Sequence, residues 1–275
     1  MHRGDACGSW SERQRFGLYY YHYEPSVAAG NEALLPLALW LHGGTRVIAE
    51  SIGSDELART PFIEGQRWRP AALLRPIVRH ASNWMSPWIG PASGSHRLTK
   101  RPPANLGIAS AVLDQYVHAH KRVVDPRRLL IAGASMGGYA TWEMILRRPD
   151  AFEAAVPICG GGDPRKAHLL NRTRVWIFHS ADDPIVPRRA SREMFEAMLD
   201  ARGVSREAVK RELVNRGTVL EALEHTLEPG SSWPELRYTE YTRGGHDAWS
   251  RALRDPRLPG FALGPPGQRQ RACAE

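Results

Sequence analysis

The stretch Arg128-Leu129-Leu130-Ile131-Ala132-Gly133-Ala134-Ser135-Met136-Gly137-Gly138-Tyr139-Ala140 decides how the rest of the chain reads. The short apolar run Leu129 to Ala132 suits a buried strand, and it ends in Gly-x-Ser-x-Gly with helix-compatible residues following at once. Strand, tight turn, helix is the sequence form of a nucleophile elbow. Such a turn holds its serine in a strained backbone conformation and lifts the hydroxyl above the sheet edge. A side chain two positions to either side would collide with the crossing strand and helix, which gives Gly133 and Gly137 their role. Gly138 and Ala140 let the helix approach the sheet closely, and the turn sets the amide of Met136 beside the serine. The five-residue pattern alone also fits an ordinary Gly/Ser turn, so its flanks carry the reading.

Outward from this segment, the 275 residues, 42% hydrophobic and 24% charged, have the composition of a soluble globular protein. They suffice for one large α/β domain over residues 1–275, with a core at about 16–255. No apolar run approaches the roughly 18 residues of a membrane span. Met1 to Arg15 is polar and lacks an apolar signal core, so a cytoplasmic location is expected. The net charge of +8 comes from arginines scattered along the chain, with no nucleic-acid module, so neither nucleic acid nor membrane is an expected partner. Cys7, Cys159 and Cys273 lie far apart, with no zinc or disulfide spacing. No metal and no cofactor is expected, and Cys159, ending an apolar run, reads as a buried free thiol.

The pattern predicts strands at residues 16–23, 35–41, 72–78, 129–132, 154–158, 174–178 and 236–241. It predicts helices at 106–120, 137–147, 190–201 and 247–253. Their alternation points to a mostly parallel central sheet with helices on both faces. Residues 84–105, rich in Pro, Gly and Ser, read as a long surface loop, in which Trp84 and Trp88 either pack beneath it or line an aromatic pocket. Residues 204–233 read as an inserted helical segment, a possible cap, and residues 258–275 as a poorly ordered tail.

A serine hydroxyl needs a base within hydrogen-bond reach, and the base needs a carboxylate to orient it. In this strand order the acid and then the base should each follow a later strand. The run Val175 to Pro187 carries a strand and then Asp182 and Asp183, of which Asp183 is favoured as the acid. Tyr241-Thr242-Arg243-Gly244-Gly245-His246-Asp247 supplies the base, His246, after a strand and two glycines; His179 and His225 lack this placement. An oxyanion hole needs two amide donors. Met136 offers one, and the turn Leu41-His42-Gly43-Gly44-Thr45 offers the other, with Gly44 first and Thr45 second.

Four segments together carry a resemblance: His42-Gly43-Gly44; Val124 to Gly138; Phe178-His179-Ser180-Ala181-Asp182-Asp183-Pro184-Ile185-Val186-Pro187; and Gly245-His246-Asp247-Ala248-Trp249. They resemble the α/β-hydrolase superfamily, within it the dienelactone hydrolase-like and "predicted peptidase" esterases. That group is similar to feruloyl and acetylxylan esterases and to polyhydroxybutyrate depolymerases. Counting back from Val186-Pro187, the resemblance implies Asp183 as the triad acid. It further implies cofactor-free hydrolysis of a small-molecule ester through an acyl-enzyme. Ser135 stands where a dienelactone hydrolase proper carries cysteine. Gly44-Thr45-Arg46-Val47 and Ser180 depart from the family pattern, which bears on pocket shape and substrate. A small prolyl-oligopeptidase-like peptidase, and a non-catalytic binding protein of the same fold, are the alternatives. The oligomeric state is not legible.

Overall fold

The protein is described by a computed structural model over residues 3–5, 8–25, 34–44, 71–78, 84–85, 96–215, 221–227 and 233–264. Among these residues one 11-stranded sheet dominates, in the order β1-β2-β3-β5-β4-β6-β7-β8-β11-β10-β9. The strands are β1 (Arg3–Asp5), β2 (Gly8–Arg15), β3 (Leu18–Pro25), β4 (Leu35–Leu41), β5 (Ala72–Ile77), β6 (Val124–Ala134), β7 (Ala154–Ile158), β8 (Arg174–Ser180), β9 (Lys210–Asn215), β10 (Glu221–Leu227) and β11 (Leu236–Tyr241). From β5 through β11 in that order the neighbours β5-β4-β6-β7-β8-β11 are parallel, while the flanking strands pair antiparallel.

The parallel strands are continuous apolar runs because both faces are covered. Along β4, Leu37, Leu39 and Leu41 belong to one core cluster, and Ala38 and Trp40 to the other. Helices α1 (Ala104–Ala119), α2 (Met136–Arg147) and α3 (Arg189–Ala201) bury Leu113, Trp142, Ile145, Met194 and Met198 in the first cluster. The short helices α4 (Trp249–Ala252) and α5 (Leu258–Leu263) contribute Ala252, Leu258, Phe261 and Leu263 to the second. Pro36 falls within the register shift between Leu35 and Leu37, where the ladder to β6 is already interrupted.

Three expectations need correction. The strand expected at residues 16–23 runs from Leu18 to Pro25 and does not open the sheet, since the polar stretch Gly8–Arg15 before it is also a strand, joined to β3 through Phe16-Gly17 with φ of 49° and 77°. Two positive φ values make the primed turn whose twist suits a two-residue hairpin. The described part of the 204–233 insertion is the hairpin β9–β10 after a 3-10 turn at Arg206–Ala208, and so is not mainly helical. It pairs with β11 and extends the sheet at its edge. Its charged pattern misleads because Glu224 is buried and bonded by Arg257 at 2.8 and 3.0 Å.

Within the expected tail, residues 258–263 form α5, which packs on β6 and β7. Pro259 lies in its first turn, where a missing amide hydrogen costs nothing. The last carbonyls are satisfied by arginines from the sheet: Arg128 donates to Leu263 at 2.7 Å, and Arg174 to Phe261. Residues 265–275, and with them the rest of the expected tail, lie outside the described residues, as do Cys7, Cys273, Thr45 and Trp88.

Candidate active site

The parallel strands end together, and the loops leaving them hold the site. β6 runs into Ser135, which has φ 56° and ψ −118°, and α2 begins at the next residue. The turn is pinned by the Ser135 amide donating to the Ile158 carbonyl at 2.9 Å and the Tyr139 amide donating to the Ser135 carbonyl at 3.0 Å. A Cβ on Gly133 would fall on the Gly137 carbonyl and 2.7 Å from the Leu41 carbonyl oxygen. One on Gly137 would fall on the Leu41 carbonyl and 2.7 Å from the His42 carbonyl oxygen. The obstructing atoms are backbone and have nowhere to go. Gly138 and Gly160 meet in the same way, a Cβ on the latter lying 2.5 Å from the Gly138 carbonyl carbon.

His246, in the loop after β11, places Nε2 2.8 Å from Ser135 Oγ and Nδ1 2.8 Å from Asp183 Oδ2. Gly244 and Gly245, with φ of 151° and 58°, make the bend that aims it, and Asp182 pins the bend by accepting from the Gly245 amide at 2.9 Å. The Trp249 ring meets His246 edge-on at 5.4 Å. Of the two loop aspartates, Asp183 therefore faces the imidazole and Asp182 holds its loop.

Asp183 is buried among donors. Its Oδ1 accepts from the Ile185 and Val186 amides at 2.8 and 2.9 Å. Burial by itself would raise its pKa, but hydrogen bonds from His179, His246 and those two amides outweigh it and hold the carboxyl below the ordinary carboxylate range.

His179, set aside in the sequence reading, lies fully buried against the same carboxylate. Its Nε2 is 3.0 Å from the Val186 carbonyl oxygen and 3.4 Å from Asp183 Oδ2, and its Nδ1 is 2.7 Å from Ser191 Oγ. The carbonyl can only accept, so Nε2 carries a hydrogen directed at the acid loop. The spacing of His179 and Asp183, four residues apart across a strand end, was the available sign.

On the other side of Ser135 lies the His42-Gly43-Gly44 turn. A Cβ on Gly43 would sit 3.5 Å from Ser135 Cβ and 3.3 Å from the Ala134 carbonyl oxygen, so the turn is packed against the elbow. The Val78 amide donates to His42 Nε2 at 3.0 Å. Nδ1 therefore holds the ring hydrogen and donates to the Gly43 carbonyl at 2.7 Å. Burial pushes this imidazole down to about 4, and it stays neutral. The Trp84 indole donates to the His42 carbonyl at 3.0 Å from a fully buried position in the first core cluster, so Trp84 braces the turn from within the core.

Cys159 is a buried free thiol with its Sγ within 4.8 Å of the facing atoms of Asp183 and His246. Burial and the Asp183 charge raise its pKa well above the ordinary thiol value, which keeps it protonated and a poor nucleophile. Among the described residues no helix is long and apolar enough to cross a membrane.

Residues 111–218 match the prolyl oligopeptidase family. No curated protein matches the chain. Among solved structures it is similar to a thermostable esterase, with 22% identity and a TM-score of 0.62 over 90% of this chain and 60% of that one. It is similar to the acetyl xylan esterase of Aspergillus awamori, with 17% identity and a TM-score of 0.63 over 93% of this chain and 100% of that one. Likeness extends to the acylaminoacyl peptidase of Pyrococcus horikoshii, with 12% identity and a TM-score of 0.57 over 92% of this chain and 40% of that one. In fold, the chain is an α/β-hydrolase, as its sequence motifs lead one to expect.

Proposed function

We propose that the protein is a serine hydrolase that cleaves carboxylic esters through an acyl-enzyme. One observation carries the reading: Asp183, His246 and Ser135 form a hydrogen-bonded line, 2.8 Å at each step, ending on a serine held at positive φ. His246 takes the proton of Ser135 as its oxygen attacks the ester carbonyl. The Met136 and Gly44 amides hold the oxyanion that develops. His246, kept in orientation by Asp183, then protonates the departing alcohol. Water attacks the acyl-enzyme with the same help, which frees the acid and restores the serine. The scheme calls on no cofactor. Its substrate is a small-molecule ester, with no part for nucleic acid or membrane. A cytoplasmic location goes with it, supported by the scattered cysteines and the buried free thiol of Cys159.

A fluorophosphonate probe tests the core of the proposal. Wild-type protein is expected to be labelled and Ser135→Ala to be spared, with turnover of an aryl acetate falling about 10⁴-fold or more. A folded wild type that resists the probe returns the protein to the class of non-catalytic binders.

Amide cleavage by the same side chains is the second reading, favoured by the match of residues 111–218 to the prolyl oligopeptidase family. Acetyl, butyryl, octanoyl and feruloyl aryl esters set against peptide anilides separate the two. Turnover of the esters without the anilides supports the first reading, and preference for anilides supports the second.

A further inference from the structure

The end of the sheet remote from Ser135 brings together three side chains that ester hydrolysis does not use. His22 and Glu24 are two residues apart on β3 and so share one of its faces. His120 directly follows α1, and its carbonyl accepts from the Val123 and Val124 amides at the entry to β6. Ser135 stands at the other end of that strand, about 20 Å away over the run from Leu129 alone.

Glu24 Oε1 lies 3.5 Å from His22 Nδ1 and 3.5 Å from His120 Nε2, and all three atoms fall within 4.8 Å of one another. A charge-assisted hydrogen bond would close to about 2.7–2.9 Å. Ligands of a tetrahedral zinc ion, each about 2.0–2.1 Å from the metal, stand about 3.3–3.4 Å apart, which is nearer the spacing here.

The tautomer suits the same role. His120 Nδ1 lies 2.8 Å from the Tyr116 carbonyl oxygen, which only accepts. Nδ1 therefore holds the hydrogen, and the Nε2 lone pair is directed toward the cluster, as in histidines that ligate metals. The Tyr116 ring stacks on His120 at 4.0 Å and meets His22 edge-on at 5.6 Å, fixing both imidazoles. The Tyr116 hydroxyl reaches His22 Nδ1 at 3.4 Å, a long bond that a cation would replace. His22 is buried, while Glu24 and His120 are 45% and 30% exposed, so the cluster opens to solvent on one side.

We propose that His22, Glu24 and His120 bind a divalent transition ion of the zinc class, with water completing its coordination. Two imidazoles and one carboxylate suit zinc, nickel or copper, whereas calcium and magnesium prefer all-oxygen sites. The ion ties β3 to the end of α1, segments almost a hundred residues apart, and acts as a staple for the fold. No zinc-like spacing reveals it in the sequence, because the ligands meet only in the folded chain.

Chelator-treated protein titrated with zinc sulfate in a calorimeter, with thermal unfolding recorded alongside, tests this. One zinc per chain is expected, with a Tm rise of roughly 5 °C or more at 100-fold excess over Kd. Glu24→Gln and His120→Ala should each bind at least ten-fold more weakly and lose the shift. His118→Ala, an exposed histidine in the last turn of α1, should behave as wild type. Both test side chains are partly exposed, and if one variant fails to fold the other decides. Absence of zinc binding, or binding that survives both substitutions, overturns the proposal. So does loss of hydrolase activity in step with zinc binding, which would place the ion at Asp183 and His246.

Discussion

A serine at φ 56° and ψ −118° occupies a backbone region that costs about 1–3 kcal/mol, and the bonds around Ser135 hold it there. The same over-determination extends to the residues behind it. His179 reaches the same Oδ2 of Asp183 as His246 and donates to the Val186 carbonyl of the acid loop, so His179→Ala should leave that loop free to shift. Displacements of about 1 Å cost on the order of 10²-fold in rate. We expect kcat to fall by about that factor with KM little changed, and retention of wild-type kcat would deny His179 a positioning role. His42 makes a prediction about pH. Its pKa is lowered to about 4 in the folded chain from an ordinary 6.5. Between those values the unfolded chain holds a proton that the native one does not, so stability falls as pH drops through the window. The whole loss is about 3 kcal/mol, and it is complete below about pH 4. Urea unfolding from pH 7.5 to 4 should show that dependence in wild type, and a shallower one in His42→Gln.

At the scale of elements, the contact between strand and helix is set by glycines. Gly133 and Gly137 bring β6, α2 and the end of β4 to backbone contact, and Gly138 and Gly160 do so for α2 and the residues after β7. Gly137→Ala would drive a methyl into the Leu41 carbonyl. The expected cost is about 3 kcal/mol or more, read as a drop in Tm and in soluble yield, and a wild-type Tm would show that α2 can move aside. Elements with strong periodicity were legible: β4, β7 and β11 coincide with the runs read from the sequence, and α1, α2 and α3 differ by one or two residues. β2 was not legible, because Gly8–Arg15 pairs on both sides through its backbone and carries polar side chains. β9 and β10 were misread because a buried Glu224 bonded to Arg257 looks, in the sequence, like one more solvated charge.

Over the whole molecule, the sheet needs a cover on each face, and α5 supplies part of the second. Leu258, Phe261 and Leu263 are all buried there. Burial contributes about 1.5–3 kcal/mol for each such side chain, a large share of the 5–15 kcal/mol by which a folded chain is stable. A chain ending at Arg257 should therefore aggregate or unfold cooperatively at much lower temperature than the full chain; size-exclusion chromatography and calorimetry check this. The sequence by itself determined the alternation of the central parallel strands with their long helices, the elbow around Ser135 and the identity of the groups that follow the later strands. Those are local facts, carried by periodicity and by glycines where a Cβ has no room. Only the tertiary structure decided what meets across the chain: His179 against Asp183, Trp84 beneath His42, α5 on the second face, and His22 and Glu24 beside His120. Each pairing joins residues whose neighbours in sequence give no sign of the partner, because packing across the sheet, and not spacing along the chain, brings them within reach.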